Sequence, residues 1–449
     1  MDIQLSDHFN TGRLVKFVLP SIAMMVFTSI YGVVDGFFVS NYAGDMPFAG
    51  LNLIMPVIMM LGSVGFMLGA GGTALVSKTL GEGKEKLANE LFSLLVYTVI
   101  AFGIVACIVC QIFLPQIARL LGATDAIITY AVQYGRIALL SLTFFMLQNM
   151  FQSFLITAEK PKLGLYITIG AGVANMVLDL VFVGIMKGGV IGAAAATAVA
   201  EFIGGFVPLV YFVFAKNSKL RLGKTRFYGW ALVKASTNGV SELLSNISMS
   251  LMSMLFNLQL LKYFGENGVS AYGVLMYVGF VFVAIYIGYS IGVAPIVGFN
   301  YGAQNVPELQ NILYKSMRFI ALTAVLMFVL AFGFARPITG IFVSKYPELW
   351  DLTATAFRMY ATCYLLNGFN IYGSSFFTAL NNGKISAIIS TVRTLIFQLI
   401  CIYALPALFG ANAIWLSVTV SEVMAVLLTF TMLLTQNKHY GYLKKRGTK

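Results

Sequence analysis

Apolar residues run along this chain in blocks of about twenty to thirty, parted by short polar stretches; these blocks dominate the pattern. At about twenty residues per crossing, they predict twelve membrane helices. The spans fall near 14–40, 50–76, 91–113, 130–156, 163–186, 190–215, 235–262, 271–297, 314–336, 353–379, 385–408 and 411–434. In hydrocarbon the backbone satisfies its polar groups only in helices or closed barrels, and runs this long select helices. The first span follows a short polar lead with Asp2, Asp7 and His8 and is too long for a signal-peptide core, so it is read as a retained helix. The expected fold class is an all-α membrane protein.

The second half of the pattern repeats the first. QSFLITAEKPK (152–162) aligns with SSFFTALNNGK (374–384) at a shift of 222, which also carries Pro115 to Pro337 and Arg136 to Arg358. A shift of 221 carries TALVSKTLGEG (73–83) to APIVGFNYGAQ (294–304), Gly81 to Gly302, Gly189 to Gly410 and Glu201 to Glu422. A nearly constant shift across six spans predicts two six-helix lobes of the same orientation, a parallel repeat. The lobes are expected at 1–215 and 235–449, the second with a short basic cytoplasmic tail, joined by a basic cytoplasmic linker at 216–234. Secondary transporters use such architectures, with the site between halves that rock. The closest approach to a nucleotide-binding loop, Ser218 to Thr225, lacks its first glycine, which argues against ATP as the energy source.

Composition agrees with the spans: of 449 residues 59% are hydrophobic and 10% charged, against roughly 25% charged in soluble domains. The net charge of +12 would suit nucleic acid if it were spread over a surface, but most of the 29 Lys and Arg fall in alternate connections. The positive-inside rule then puts both termini in the cytoplasm, in a bacterial inner membrane. The run Lys216 to Arg226 can face anionic lipid, and a nucleic-acid partner is not expected. The four cysteines all lie in predicted spans without a disulfide framework or metal spacing, and no cofactor is implied. Both lobes lie in one chain, so a monomer is expected.

Charges inside the spans are costly and mark ion paths or partners. The first half holds Asp35, Asp179 and Glu201; the second holds Glu242 and Glu422, with Arg393 as the notable basic residue. Counted at 1.5 Å per residue, Asp35, Asp179, Thr197 and Tyr134 can share one outward layer of the first lobe. Asn175 is one turn from Asp179 on the same helix face. Two carboxylates, an amide, a hydroxyl and a phenol could hold a sodium ion or let one aspartate carry a proton; interhelical hydrogen bonding is the plainer use of the same groups. The positions equivalent to Asp35 and Asp179 in the second half are near Phe256 and Ile400, so the acids are one-sided. Glu201, Glu242, Glu422 and Arg393 are candidates for substrate contact, gating or helix pairing. The Met- and Phe-rich stretch SMSLMSMLFN (248–257) suits an adaptable apolar cavity.

The stretches IYGVVDGFFVS, GAGGTALVSKTLGEG and PIVGFNYGAQN, with the Asn175 and Asp179 pair and Gly192 to Thr197, occur in an order that resembles the multidrug and toxic compound extrusion (MATE) family. The likeness is to its bacterial multidrug-exporter branch and covers nearly the whole chain. It implies an antiporter that exports amphipathic, often cationic compounds in exchange for sodium ions or protons. It also implies that Asp35, Asn175, Asp179 and Thr197 bind the coupling cation, with Tyr134 beside them. Other relatives place a coupling carboxylate in span seven, where Glu242 stands much nearer the start. The rival expectation is a lipid-linked glycan flippase of the same superfamily, whose cavity would be basic.

Overall fold

The computed structural model describes residues 3–42, 45–215 and 218–443. Every regular element among them is helical: α1 Thr11–Tyr42, α2 Asp45–Gly81, α3 Glu85–Leu120, α4 Ile128–Thr157, α5 Pro161–Asp179 and α6 Gly189–Phe214 in the first half. The second half has α7 Gly229–Gly302, α8 Val306–Gly333, α9 Ala335–Val343, α10 Pro347–Ala361, α11 Tyr364–Ala379, α12 Gly383–Thr391, α13 Gln398–Phe409 and α14 Ser417–Tyr440. Ten of the helices among the described residues are long and apolar enough to cross a membrane. Helix α8 shows why: Ile320, Ala324, Met327 and Ala331 are buried, while Leu322, Val325, Leu326 and Val329 are exposed on another face. A helix apolar on both faces belongs in hydrocarbon.

Three boundaries differ from the sequence expectation. The loop expected between 262 and 271 is helical except at Gly265 (φ 62°, ψ −153°), a conformation open to a residue without Cβ. The resulting 74-residue α7 has a path of about 110 Å at 1.5 Å per residue, enough for two crossings folded at that glycine. The span expected at 353–379 is split between α10 and α11. There the Thr362 hydroxyl donates to the Met359 carbonyl at 2.7 Å and pairs with Thr419 at 2.7 Å, competing with the helical ladder. The expected linker 216–234 becomes helical at Gly229. Before that it runs along α3, where the Asn89 amide accepts from Arg221 N at 2.6 Å and donates to the Lys219 carbonyl at 3.2 Å.

Two large apolar cores form, one drawn chiefly from residues 51–235 and one from 252–442. Leu5, Phe9, Leu14, Phe17 and Val18 belong to the second core, so the amino-terminal segment crosses to it. Along the way the Leu5 amide donates to Glu159 at 2.7 Å, the Phe9 amide to Glu308 at 3.0 Å, and His8 Nδ1 meets Glu308 at 2.7 Å. Backbone conformation repeats as well. Left-handed φ occurs at Gly83 and Gln304, at Glu159 and Asn381, and at Gly189 and Gly410, pairs separated by 221 or 222 residues.

Helices α2 and α7 form the main seam between the two cores. At one end the backbones touch: a Cβ on Gly71 would overlap Ala235 O, and one on Gly239 would overlap Met67 O. Asn381 crosses the same end, its amide donating to Ala74 O at 2.9 Å and accepting from Asn238 at 2.7 Å. Toward the other end the seam opens into a cleft of about 760 Å³, lined by Asn52 of α2 and by Ser253, Met254, Asn257 and Glu266 of α7.

Candidate cation site

Asp35 lies on α1, with Tyr31 one turn before it; Asn175 and Asp179 lie one turn apart on α5. The two helices approach because residue 172 is glycine: a Cβ there would fall 2.5 Å from Phe27 and 2.8 Å from Tyr31. The Asp35 carboxylate is thereby within hydrogen-bonding reach of both Asn175 and Asp179. Asn175 is 2% exposed and Asp179 0%. Among the described residues, no N–H or O–H donor reaches Asp35 Oδ1, Asn175 Oδ1 or either oxygen of Asp179. Buried oxygens left this way are costly and uncommon. Immediately after Asp179 the helix widens to a π turn, Leu180–Ile185, with Met186 N donating to Val181 O at 2.8 Å. Such single π turns within α-helices are frequent at functional positions.

Helix α4 supplies a polar stripe that faces these acids. Tyr134, Ser141 and Gln148 recur every seven residues, and all three are buried. Tyr134 lies within electrostatic range of Asp35, Asp179 and Glu201, while its hydroxyl contacts Met55 Sδ at 3.4 Å. Ser141 is within hydrogen-bonding reach of Glu201, and Gln148 of Tyr31. Glu201 on α6 also lies within electrostatic range of Asp35. Thr197 sits one turn before Glu201 on α6 and is half-buried. No three His, Cys, Asp or Glu side chains among the described residues stand close enough together to hold a metal as a trio. A cation here would therefore take its ligands from the Asp35 and Asp179 carboxylates and the Asn175 amide oxygen, a hard oxygen set suited to sodium ion or proton.

The remaining charged candidates lie elsewhere. Arg393, in a π turn of Val392–Phe397, donates from Nε to both Glu422 oxygens at 2.8 and 3.0 Å. Asn370 donates to the same carboxylate at 2.6 Å and accepts from Thr429 at 2.8 Å. Glu242 is half-buried on α7, one residue turn beyond the Gly239 contact, and its carbonyl accepts from Asn246 at 2.9 Å.

A family model described as MatE matches residues 20–181 and again 243–404. The chain belongs to the MatE family. Among curated relatives, the multidrug export protein MepA of Staphylococcus aureus (strain MSSA476) is 22% identical over 92% of this chain and 91% of the relative. MepA of Staphylococcus haemolyticus (strain JCSC1435) is 23% identical over the same shares. Among solved structures, a MATE protein in complex with MaL6 superposes with TM-score 0.92 at 19% identity, covering 97% of this chain and 98% of that one. A multidrug resistance MATE family transporter of the MOP superfamily in an outward-facing conformation gives TM-score 0.91 at 19% identity, over 97% of each chain. The fold of this MatE chain and its relatives are those of multidrug efflux transporters, not of enzymes.

Sequence alone singles out Asp35, Asn175 and Asp179, which lie together in this MatE chain, but passes over Tyr31, Ser141 and Gln148 beside them. Their signal was present: Tyr31 is i−4 from Asp35, and the heptad spacing of Tyr134, Ser141 and Gln148 draws one polar line along an apolar helix.

Proposed function

We propose that this protein is an antiporter that exports amphipathic, often cationic small molecules in exchange for a sodium ion or a proton. The observation that carries the reading is Asp179: fully buried, reached by no N–H or O–H donor among the described residues, and facing the Asp35 carboxylate. Two facing carboxylates without a basic partner favour an exchangeable cation between them. Asn175 supplies a third oxygen, and Thr197 and Tyr134 complete the proposed set. The printed name of the MepA relatives supports multidrug export.

The reading takes the chain as twelve spans in two six-helix lobes. Support comes from the two MatE matches, which begin 223 residues apart, and from the paired left-handed residues at the nearly equal spacing of 221 or 222. With α7 crossing twice and α10 and α11 forming one crossing, the ten candidate helices become twelve spans. Positive-inside orientation puts the Gly71 and Gly239 contact on the cytoplasmic side and the 760 Å³ cleft outside. That arrangement is the outward-open one. Cation binding from outside biases the lobes by its differential affinity for the two arrangements, and a cationic substrate competes for the same negative field. A flippase of anionic lipid-linked glycans would want a free basic residue in the cavity, whereas Arg393 is consumed by Glu422.

The test is efflux of a fluorescent cationic dye from proteoliposomes under separately imposed sodium and proton gradients, for wild type and Asp179→Asn. Gradient-driven efflux lost in the variant supports the assignment; equal efflux by both removes the first-lobe site from it.

A further inference from the structure

The repeat allows the two halves to be compared side chain by side chain. Glu201 and Glu422 correspond at a shift of 221, and Gln148 and Asn370 at 222. The amide of the fourth span meets the carboxylate in the second half, whereas in the first half Gln148 is within reach of Tyr31 and Ser141 within reach of Glu201. In the second half the pair is closed: Glu422 is 1% exposed, receives the Arg393 guanidinium on both oxygens, and receives the Asn370 amide. The first-half position that matches Arg393 is Ala171 or Gly172. Neither can supply a charge, and the space over Gly172 is taken by Phe27 and Tyr31. The groups facing Glu201 and the acids beside it are Ser141, Asp35, Tyr31 and Tyr134, none of them basic. Among the described residues, the duplicated carboxylate therefore carries a tethered cation in the second half and none in the first.

A carboxylate in a membrane-spanning segment without a counter-charge is disfavoured, and Glu201, half-buried on α6, lies within electrostatic range of the Asp35 carboxylate. The unpartnered oxygens of Asp179 and Asn175, both more than nine-tenths buried, lie in the same cluster. We propose that Arg393 is a resident counter-cation that shuts the second half's copy of the site, and that Glu201, lacking one, is a further binding position for an exchangeable small monovalent cation. One copy of the duplicated glutamate is then a fixed internal pair and the other stays open for exchange. The inference rests on the proposed first-lobe cation site and adds a neighbouring position on the Glu201 side of Asp35.

The experiment counts cations on the purified protein in lipid nanodiscs with two probes, ²²Na⁺ binding at equilibrium and proton uptake on stepping to lower pH. Wild type is compared with Glu201→Gln, Glu422→Gln, Arg393→Gln and the double variant Arg393→Gln/Glu422→Gln. The expected result is that Glu201→Gln weakens cation binding by about tenfold or more or removes one equivalent, whereas Glu422→Gln changes neither. Arg393→Gln gains one equivalent, which the double variant loses again. The double variant carries no buried charge at this position, so it reports even where the single Arg393 variant folds poorly. Glu201→Gln binding like wild type with both probes overturns the inference. If Asp179→Asn removes binding while Glu201→Gln does not, the first-lobe site stands and only the extension falls. Wild type that takes up neither probe overturns both.

Discussion

Gly239→Ala is expected to shift the protein away from the arrangement described above. The added methyl would overlap the Met67 carbonyl and lie 3.0 Å from Gly71 N. Both are backbone atoms of α2, so no rotamer change relieves them and the helices must part. Overpacking of this kind costs about 1–3 kcal/mol. On the proposed alternating-access reading the cost falls on the arrangement closed at this end, because the opposite one requires α2 and α7 to separate here. A bias of that size lowers the ratio of closed to open about 5- to 150-fold. The assay is a distance distribution between spin labels on the exposed residues Lys84 and Gln304, which flank the contact between α2 and α7 near Gly81 and Gly302, with Cys107 and Cys110 replaced. Wild type is expected to give a short distance, and Gly239→Ala a population at longer distance with the protein still folded. An unchanged distribution together with wild-type export would refute the reasoning that this backbone contact holds the closed end.

Other consequences follow from the same structure. Asp35→Asn, like Asp179→Asn, is expected to abolish dye export while the protein remains in the membrane and monodisperse on gel filtration; near-normal export would count against the site. Arg393→Gln leaves a buried carboxylate unpaired and is expected to cost about 3–5 kcal/mol, whereas replacing Arg393 and Glu422 together by Met and Leu is expected to be nearly neutral; thermal unfolding in detergent compares the two. Phe9 is fully buried and meets Phe17 edge to face at 5.9 Å, so Phe9→Ala is expected to cost about 3–5 kcal/mol, read as a lower melting temperature. Just beyond α2, Lys84 holds the Glu82 carboxyl below its ordinary value of 4.5, with partial burial opposing it and Lys78 helping. A depressed carboxylate stabilises above its unfolded value, so this contribution, under about 1 kcal/mol for so exposed a pair, is present at neutral pH and fades as the pH falls below 4.5. The melting-temperature gap between wild type and Glu82→Gln should therefore close in acid.

Much of the architecture was legible because hydrocarbon imposes a single rule, long apolar helices, and the chain obeys it in nearly every block. Where legibility failed, the cause was local. No hydropathy window sees that one glycine at 265 suffices to fold α7, or that the Thr362 hydroxyl interrupts the path from α10 to α11. The acids of the site stood out because a carboxylate in an apolar span is conspicuous. Their polar companions did not, because serine, tyrosine and glutamine are common on helix faces, and only packing shows that Ser141 faces Glu201 and Gln148 faces Tyr31. Sequence also could not say whether Arg393 touches ligand or an acid; its use depends on Glu422 arriving from α14, 29 residues away.

Coupling between drug and cation is tested by running the exchange backwards. Proteoliposomes holding equal sodium and equal pH on both sides are given a dye gradient alone, and the movement of ²²Na⁺ and of protons is followed. The account predicts that downhill dye drives one of these cations uphill in the opposite direction, and that Asp179→Asn abolishes this movement. Dye flux in wild type without counter-movement of either cation would contradict it.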